Sequence, residues 1–467
     1  MLIRQGFRYR LREKGVHAVL FRRYTGACRF VWNRALAYQI DQRKATGKLP
    51  GYSALCAQLP VWKKEMPWLA EMPSQTLQQT LKDLGEAWSR FFENLKKGHR
   101  AAPDNLALRR TLKKAGVKLA YPPRFKKRGE KDGMRFPQGF EIDEANARIK
   151  LPKMGGWIRY RKSRDLIGTP KNVTVVLDAL GWHLSIQTER EDHVDSDATK
   201  IGAADRGVTD FMAIAESDQD RTDGHAVGTV PPINALRKVA HKLGRYQRAA
   251  ARKMEAAKVK SGIPKGAPFP KGFRLKKSNR LKHALGKVAV LQAKVARVRL
   301  DWLHTLSTHL ADDYAAFCLE DLKIANMTAS AKGTEDVPGR QVSQKSGLNK
   351  SILDQGWGQF ATLLSYKMAW RGGQIVWVPP HYTSQKCSHC GHTHPDNRER
   401  KSFKCCVCGF AADADLNAAL NILAAGHAVL AGGSNALCYA DVEDTVLSGR
   451  PAKRQSAQTE EGASCAA

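Results

Sequence analysis

The sequence predicts a multidomain α+β protein. A small β-barrel with a helical insert fills the N-terminal half, and an α/β domain with an inserted metal knuckle fills the C-terminal half. Three observations lead there. The 467 residues, 42% of them hydrophobic, exceed one ordinary core. Blocks with helical spacing alternate with short runs of period two. Late in the chain, two C-x-x-C pairs interrupt apolar strands that end in acids.

The alternating "FRYRLR" (7–12) reads as a strand, and "AVLFRRYTGACRFVWNRALAYQI" (18–40) as a helix. A second helix, "SQTLQQTLKDLGEAWSRFFENLKKG" (74–98), is expected to have Ser74 as its N-cap and to stop near Gly98. Residues 99–136 turn basic and proline-containing. From 137 to 190, runs such as "WIRYRK", "NVTVVLD" and "WHLSIQTE" read as antiparallel strands. These runs place the barrel at 1–20 and 120–195, with the helical domain at 21–119. An α/β domain is expected over 196–380 and 410–425, a metal ribbon over 381–409, and a disordered tail over 426–467, where apolar periodicity fades.

Charge limits the partners. Lysine and arginine number 77 against 44 acids, a net +33, which repels itself in a compact chain unless a polyanion compensates. No run of 18 apolar residues exists, and "MLIRQGFRYRLREKG" lacks the apolar centre of a signal peptide, so membrane spanning and secretion are disfavoured. Nucleic acid is the partner that remains. Residues 236–300 hold 20 Lys or Arg and one acid, Glu255. There Leu281, Leu285, Val288, Leu291, Val295, Val298 and Trp302 recur at steps of three and four. The result is an amphipathic helix whose basic side, with Lys282, Lys287 and Lys294, is placed to follow a phosphate backbone.

Three acids sit where a basic chain gives no general reason for them. Asp205 ends the apolar strand in "IGAADRGVTDFMAIAES" (201–217), before a turn at Gly207. Glu320 ends the strand in "YAAFCLEDLKI" (314–324), and Asp415 opens the helix in "DADLNAALNIL" (413–423). Each alone suits a turn or a cap. In this order they are the parts of an RNase H-like nuclease core, where two Mg2+ about 4 Å apart need hard oxygen ligands.

Cys387 and Cys390 pair with Cys405 and Cys408 across 14 residues, the C-x-x-C…C-x-x-C pattern of a zinc ribbon. One structural Zn2+ is therefore expected. Cys406 is in register with neither pair, and His389, His392 and His394 are bystanders. The other cysteines are scattered singly, which is metal usage in a reducing compartment.

Taken together, "GACRFVWNRALA", "LQQTLKDLGEAWSRFF", "PRFKKRG", "ADRGVTDF", "LEDLKIANMT", "GLNKSILDQGWGQF", "YKMAWRGGQIVWVPPHYTSQKCSHCG" and "DADLNAALNI" resemble the TnpB family, from residue 26 to residue 422. The resemblance implies a transposon-encoded, RNA-guided DNA endonuclease related to type V CRISPR effectors. It has a wedge-type β-barrel, a helical recognition domain and a RuvC-type nuclease domain. Asp205, Glu320 and Asp415 match its catalytic acids, and the four cysteines its zinc ligands. Family spacing selects Asp415 over Asp413. Tyr52, Ser74 and Gln78 fall where relatives contact the short DNA motif adjoining the target. The implied partners are a guide RNA and target double-stranded DNA, with no membrane, in a prokaryotic cytoplasm at the nucleoid; one complete set of acids permits a monomer. The sequence departs from the family in "REKGVHAVL", which replaces P-x-x-x-Q, and in a longer connection over 100–121. Two other readings remain: a cleavage-deficient RNA-guided regulator, which the intact acids argue against, and a conventional transposase or accessory DNA-binding protein.

Overall fold

The computed structural model describes residues 1–13, 15–129, 132–192, 197–218, 223–270, 273–333 and 338–431. The chain divides into two compact units, 1–192 and 193–467.

In the first unit, β1 (Leu2–Arg12) buries Ile3, Phe7, Tyr9 and Leu11 and exposes the arginines between them, the one-sided pattern of an antiparallel strand. Next come α1 (Gly15–Thr46), α2 (Tyr52–Glu65), α3 (Ser74–Lys96), β2 (Arg100–Ala101), α4 (Leu106–Lys114) and β3 (Leu119–Ala120). The long connection over 100–121 thus folds into a helix between two short paired strands. After it run β4 (Gly133–Phe136), β5 (Glu141–Asp143), β6 (Arg148–Lys150), β7 (Trp157–Arg161), β8 (Thr169–Asp178) and β9 (Gly181–Glu191).

Seven of these strands form one antiparallel sheet in the order β4-β8-β9-β1-β7-β6-β5. The expected barrel is met in part: among the described residues β4 pairs with β8 alone and β5 with β6 alone, so the ladder stays open. Closure requires every edge to find a partner. Instead, helices share the core of the sheet, with Phe21 of α1 on Trp182 of β9 at 5.0 Å between ring centroids. Ser74 is corrected. Pro73, in extended conformation, occupies the capping position, and Ser74 is the first helical residue, its hydroxyl accepting from Lys63 Nζ at 2.7 Å.

The second unit opens with β10 (Lys200–Asp205), β11 (Met212–Asp218) and β12 (His225–Val230). A basic helical hairpin follows, α5 (Ala235–Lys260) and α6 (Asn279–Asp313), and then β13 (Tyr314–Glu320), α7 (Ile324–Met327), α8 (Val342–Gln355), α9 (Trp357–Trp370) and β14 (Gln374–Val378). The ribbon strands β15 (Arg398–Glu399), β16 (Ser402–Lys404) and β17 (Ala411–Asp413) lead without a gap into α10 (Ala414–Ala431). The main sheet runs β12-β11-β10-β13-β14, antiparallel through the first three strands and parallel from β10 to β13 to β14.

Both faces of this sheet are buried. Phe317 and Leu319 pack with Leu303 and Leu310 of α6 and Phe360 and Leu364 of α9. Ala203, Cys318 and Val376 on the other face pack with Ala419, Ile422 and Leu423 of α10. Double burial explains why β10 and β13 read as continuous apolar runs rather than alternating ones. The buried stripe of α6 includes Leu281, Leu291 and Val295 and then moves to Leu303 as its neighbour changes from α5 to α9; Val298, in step with the apolar series, is exposed.

Helix α10 is long and apolar enough to cross a membrane, but its apolar side is committed to the sheet. It takes in the first six residues, 426–431, of the expected tail; residues 432–467 lie outside the described residues. At Gly426 the helix comes so close that an added Cβ would sit 2.1 Å from Cys318 Sγ. Gly426→Val should therefore cost about 1–3 kcal/mol by overpacking. Urea titration checks this, and Cys318→Ala in the same chain should restore part of the loss.

Candidate active site and metal centre

Parallel pairing sets Ala204 of β10 opposite Leu319 of β13. The next residues, Asp205 and Glu320, therefore leave the same end of the sheet side by side. Helix α10, packed on β10, brings Asp415 to them in its first turn. Asp205 is pushed up to about 7, first by burial and then by the charges of Glu320 and Asp415. Three carboxylates therefore share one confined space.

Two of the acids are held by a hydrogen-bonding neighbour. Glu320 is 6% exposed, and Thr383 Oγ1 donates to its Oε1 at 2.8 Å. Buried Arg206 donates to the Glu320 carbonyl, and burial lowers its own pKa to about 10. Arg398, on the first ribbon strand, donates to Asp415 Oδ1 at 2.8 Å. Asp413 is not inert: its Oδ1 accepts the backbone N–H groups of Asp415 at 2.9 Å and Leu416 at 3.2 Å, which caps α10. Lys401 pairs with Asp210 and so ties the ribbon to the β10–β11 turn.

The sulfurs of Cys387, Cys390, Cys405 and Cys408 lie within 4.8 Å of one another. The Cys387–Cys408 and Cys390–Cys405 pairs are 3.7 and 3.6 Å apart. A tetrahedral ion with bonds of about 2.3 Å needs sulfurs about 3.8 Å apart, so these two pairs already have the spacing of a metal site and the set could bind a metal. Backbone N–H groups of Cys408 and Val407 lower Cys405 to about 6, favouring its thiolate. The histidines stay outside the quartet: His389 stacks on Phe410, and His394 accepts from the Asp396 N–H.

Asparagines fasten the module. Asn397 Nδ2 donates to the Gln385 and His392 carbonyls while its Oδ1 accepts from Cys406 N–H, so one buried side chain joins both knuckles. From α10, Asn417 donates to the Lys386 carbonyl and accepts from Ser388 N–H. Asn421 donates to the carbonyls of Thr383 and Lys386.

The remaining sequence-predicted residues lie elsewhere. Ser74 and Gln78 share one face of α3, four residues apart, with Ser74 exposed and Gln78 half-buried. Tyr52 is exposed at the far end of α2, about 16 Å along the helix from the Lys63 that touches Ser74. Lys282, Lys287 and Lys294 are all exposed on α6. At 3.6 residues per turn, Lys287 and Lys294 share a face and Lys282 points to another. Lys287 Nζ sits 5.5 Å from the ring centre of Tyr246 on α5.

Two family models match the chain, a Cas12f1-like TNB domain over residues 357–422 and a helix-turn-helix domain over residues 1–48. The first spans α9, β14, the cysteine module and the part of α10 that carries Asp415. The second covers β1 and α1, a strand and one long helix. Across 457 residues, 97% of each chain, the sequence is 41% identical to "Putative RNA-guided DNA endonuclease InsQ" of Escherichia coli (strain K12). The chain belongs to the TnpB family. A second relative, a protein of Streptomyces pristinaespiralis named with the same activity, is 27% identical over 442 residues, 92% of this TnpB-family chain and 91% of its own. A solved structure titled as the mini-RNA-guided endonuclease CRISPR-Cas_phi3 is 10% identical with a TM-score of 0.40, covering 91% of this chain and 92% of that one.

A carboxyl whose folded pKa is raised stabilises the fold at low pH, and that stability is lost as pH rises through the folded value. From Asp205, metal-free protein should lose on the order of 3 kcal/mol between about pH 4 and pH 8. Asp205→Asn should flatten that part of the profile in urea titrations; an unchanged profile would assign it to another group. Cys387→Ser should release one metal equivalent per chain in elemental analysis and unfold β15–β17, because a closed thiolate set contributes its binding energy to folding.

Proposed function

We propose that the chain is an RNA-guided DNA endonuclease that binds a transposon-derived guide RNA and hydrolyses target DNA beside a short adjoining motif. One observation carries this reading: Asp205, Glu320 and Asp415 converge at one end of a five-stranded sheet, with Asp205 pushed up to about 7 by burial and by the other two acids. Relatives that match it over nearly the full chain are named for the same activity.

Crowded hard oxygens call for divalent cations: Asp205, Glu320 and Asp415 would hold two Mg2+, which supply Lewis acidity to the phosphodiester and its attacking water. The reaction joins a water oxygen to phosphorus and releases one ester oxygen. Thr383 keeps the Glu320 carboxylate turned toward the cluster, and Arg206 fixes the backbone that carries it. Arg398 restrains Asp415 and brings a positive charge to a site that must accept phosphate. The quartet Cys387, Cys390, Cys405 and Cys408 would hold one Zn2+, structural because no coordination position is left open.

The rest of the chain would hold nucleic acid. Residues 1–20 and 120–195 serve as wedge domain and 21–119 as recognition domain, with Tyr52, Ser74 and Gln78 facing the adjoining motif. Residues 196–380 and 410–425 serve as the RuvC-like nuclease domain, with the ribbon at 381–409. Lys287 and Lys294 on one face of α6, and Lys282 on another, contact phosphates, while base pairing with the guide reads sequence. With all three acids on one chain, a monomer can cleave, at the nucleoid of a prokaryotic cytoplasm.

Asp205→Ala, Glu320→Ala and Asp415→Ala should each slow cleavage of a guide-matched duplex by about a hundredfold or more, with guide-dependent binding retained. The test is single-turnover cleavage beside filter binding, using the RNA that copurifies with the protein. Near-normal cleavage in any one variant removes that residue from the site.

A further inference from the structure

Tyr382, in the loop from β14 to the first cysteine pair, is left unexplained by the chemistry above. Its φ of 59° lies in the left-handed region, and it is the one aromatic residue among the described non-glycine residues found there. For a bulky L residue that conformation is unfavourable. The residue is also 67% exposed, so its ring gains little from burial. Among the described residues its hydroxyl has no hydrogen-bond partner and its ring meets no other ring or cation. A strained backbone thus displays an aromatic surface that no hydrogen bond, ring or cation among the described residues uses.

The loop that displays it is fastened along its length. The Tyr382 carbonyl accepts from the N–H groups of Gln385 and Lys386, both at 3.0 Å. Thr383 reaches Glu320 through its hydroxyl and Asn421 through its carbonyl. The Gln385 carbonyl is held by Asn397, and the Lys386 carbonyl by Asn417 and Asn421. Tyr382 is therefore one residue, about 3.8 Å between Cα atoms, from the side chain that orients a metal-binding acid. The exposed Lys386 follows on the same loop.

We propose that Tyr382 is a stacking platform for a nucleobase of the DNA strand drawn into the acid cluster, fixing the nucleotide next to the scissile phosphate. The proposal rests on the endonuclease reading and assigns Tyr382 a positioning role. The acids and their cations grip only the phosphate, and a single strand held at one phosphate still turns about its backbone. A stacked base removes that freedom. Stacking is tolerant of sequence, because every base has a π-face, which suits a nuclease whose sequence choice is made by pairing with a guide. Strain in the loop is consistent with a conformation kept for the ligand rather than for the fold.

The experiment uses the ribonucleoprotein with its copurifying RNA and a duplex matched to that RNA. A single tetrahydrofuran abasic site is placed in turn at each nucleotide across the cut. Tyr382→Gly suits a positive φ, so it keeps the fold while deleting the ring; Tyr382→Leu keeps bulk without a π-face, and Tyr382→Phe keeps the π-face. The Gly and Leu variants should lose about 5- to 150-fold in single-turnover rate with duplex affinity unchanged, while Phe stays close to wild type. In the wild type, an abasic site at one position beside the cut should cause a comparable loss, and in Tyr382→Gly the same lesion should cause none. If wild type cleaves and Tyr382→Gly cleaves equally fast, or if the abasic profile is the same in both, stacking is refuted and the endonuclease reading stands. A wild-type ribonucleoprotein that leaves the matched duplex uncut overturns both.

Discussion

Negative charge gathered at one end of a sheet buried on both faces is the constraint on which the second unit depends. Two strand ends and a helix start aim Asp205, Glu320 and Asp415 at a common space, and burial keeps water from screening them. Burial and repulsion raise Asp205 toward neutrality. Arginine at two points, Arg206 behind the strand ends and Arg398 on the ribbon, opposes that rise. Without a cation, protonation of Asp205 relieves the crowding of the three carboxylates; a bound cation would relieve it in another way.

The cysteine module is part of this electrostatic arrangement rather than an appendage. Its first strand supplies Arg398, its hairpin supplies Lys401, and its last strand becomes the cap of α10 through Asp413. Asn417 and Asn421 hydrogen-bond the peptide groups of the loop carrying Thr383. The loop that carries the first cysteine pair thus reaches Glu320 through three hydrogen-bonded steps. A metal held by the quartet would resist local opening and so steady the neighbours of Glu320 and Asp415.

What could be read in the sequence followed from strong local rules. Apolar runs ending in acids marked β10 and β13, and tetrahedral thiolate spacing marked the quartet, because each signal is confined to a few adjacent residues. The misses share the opposite character. Ser74 has the chemistry of a cap, but Pro73 already has the extended geometry, so the serine hydroxyl is free to take Lys63 instead. Val298 follows the apolar period, yet the neighbour of α6 changes there. The open edge of the first sheet depends on what helices cover, which strand patterning does not encode. Arg398 and Thr383 meet their acids across 17 and 63 residues of chain, beyond any motif. A partial signal did exist for the asparagines: Asn417 and Asn421 stand four apart in a mostly apolar helix, where buried amides require partners.

Helix α10 comes last among the described elements and does two jobs, supplying Asp415 and covering one whole face of the sheet. During synthesis on the ribosome, every strand of that sheet and both other acids are therefore complete while one apolar face is still bare and the acid set is one short. A nascent or prematurely terminated chain ending before residue 415 can neither assemble the full cluster nor hide Ala203, Cys318 and Val376 from water. Chain order itself then delays any cutting capacity until α10 has been made, and it marks products that stop short of it for aggregation or proteolysis through their exposed sheet.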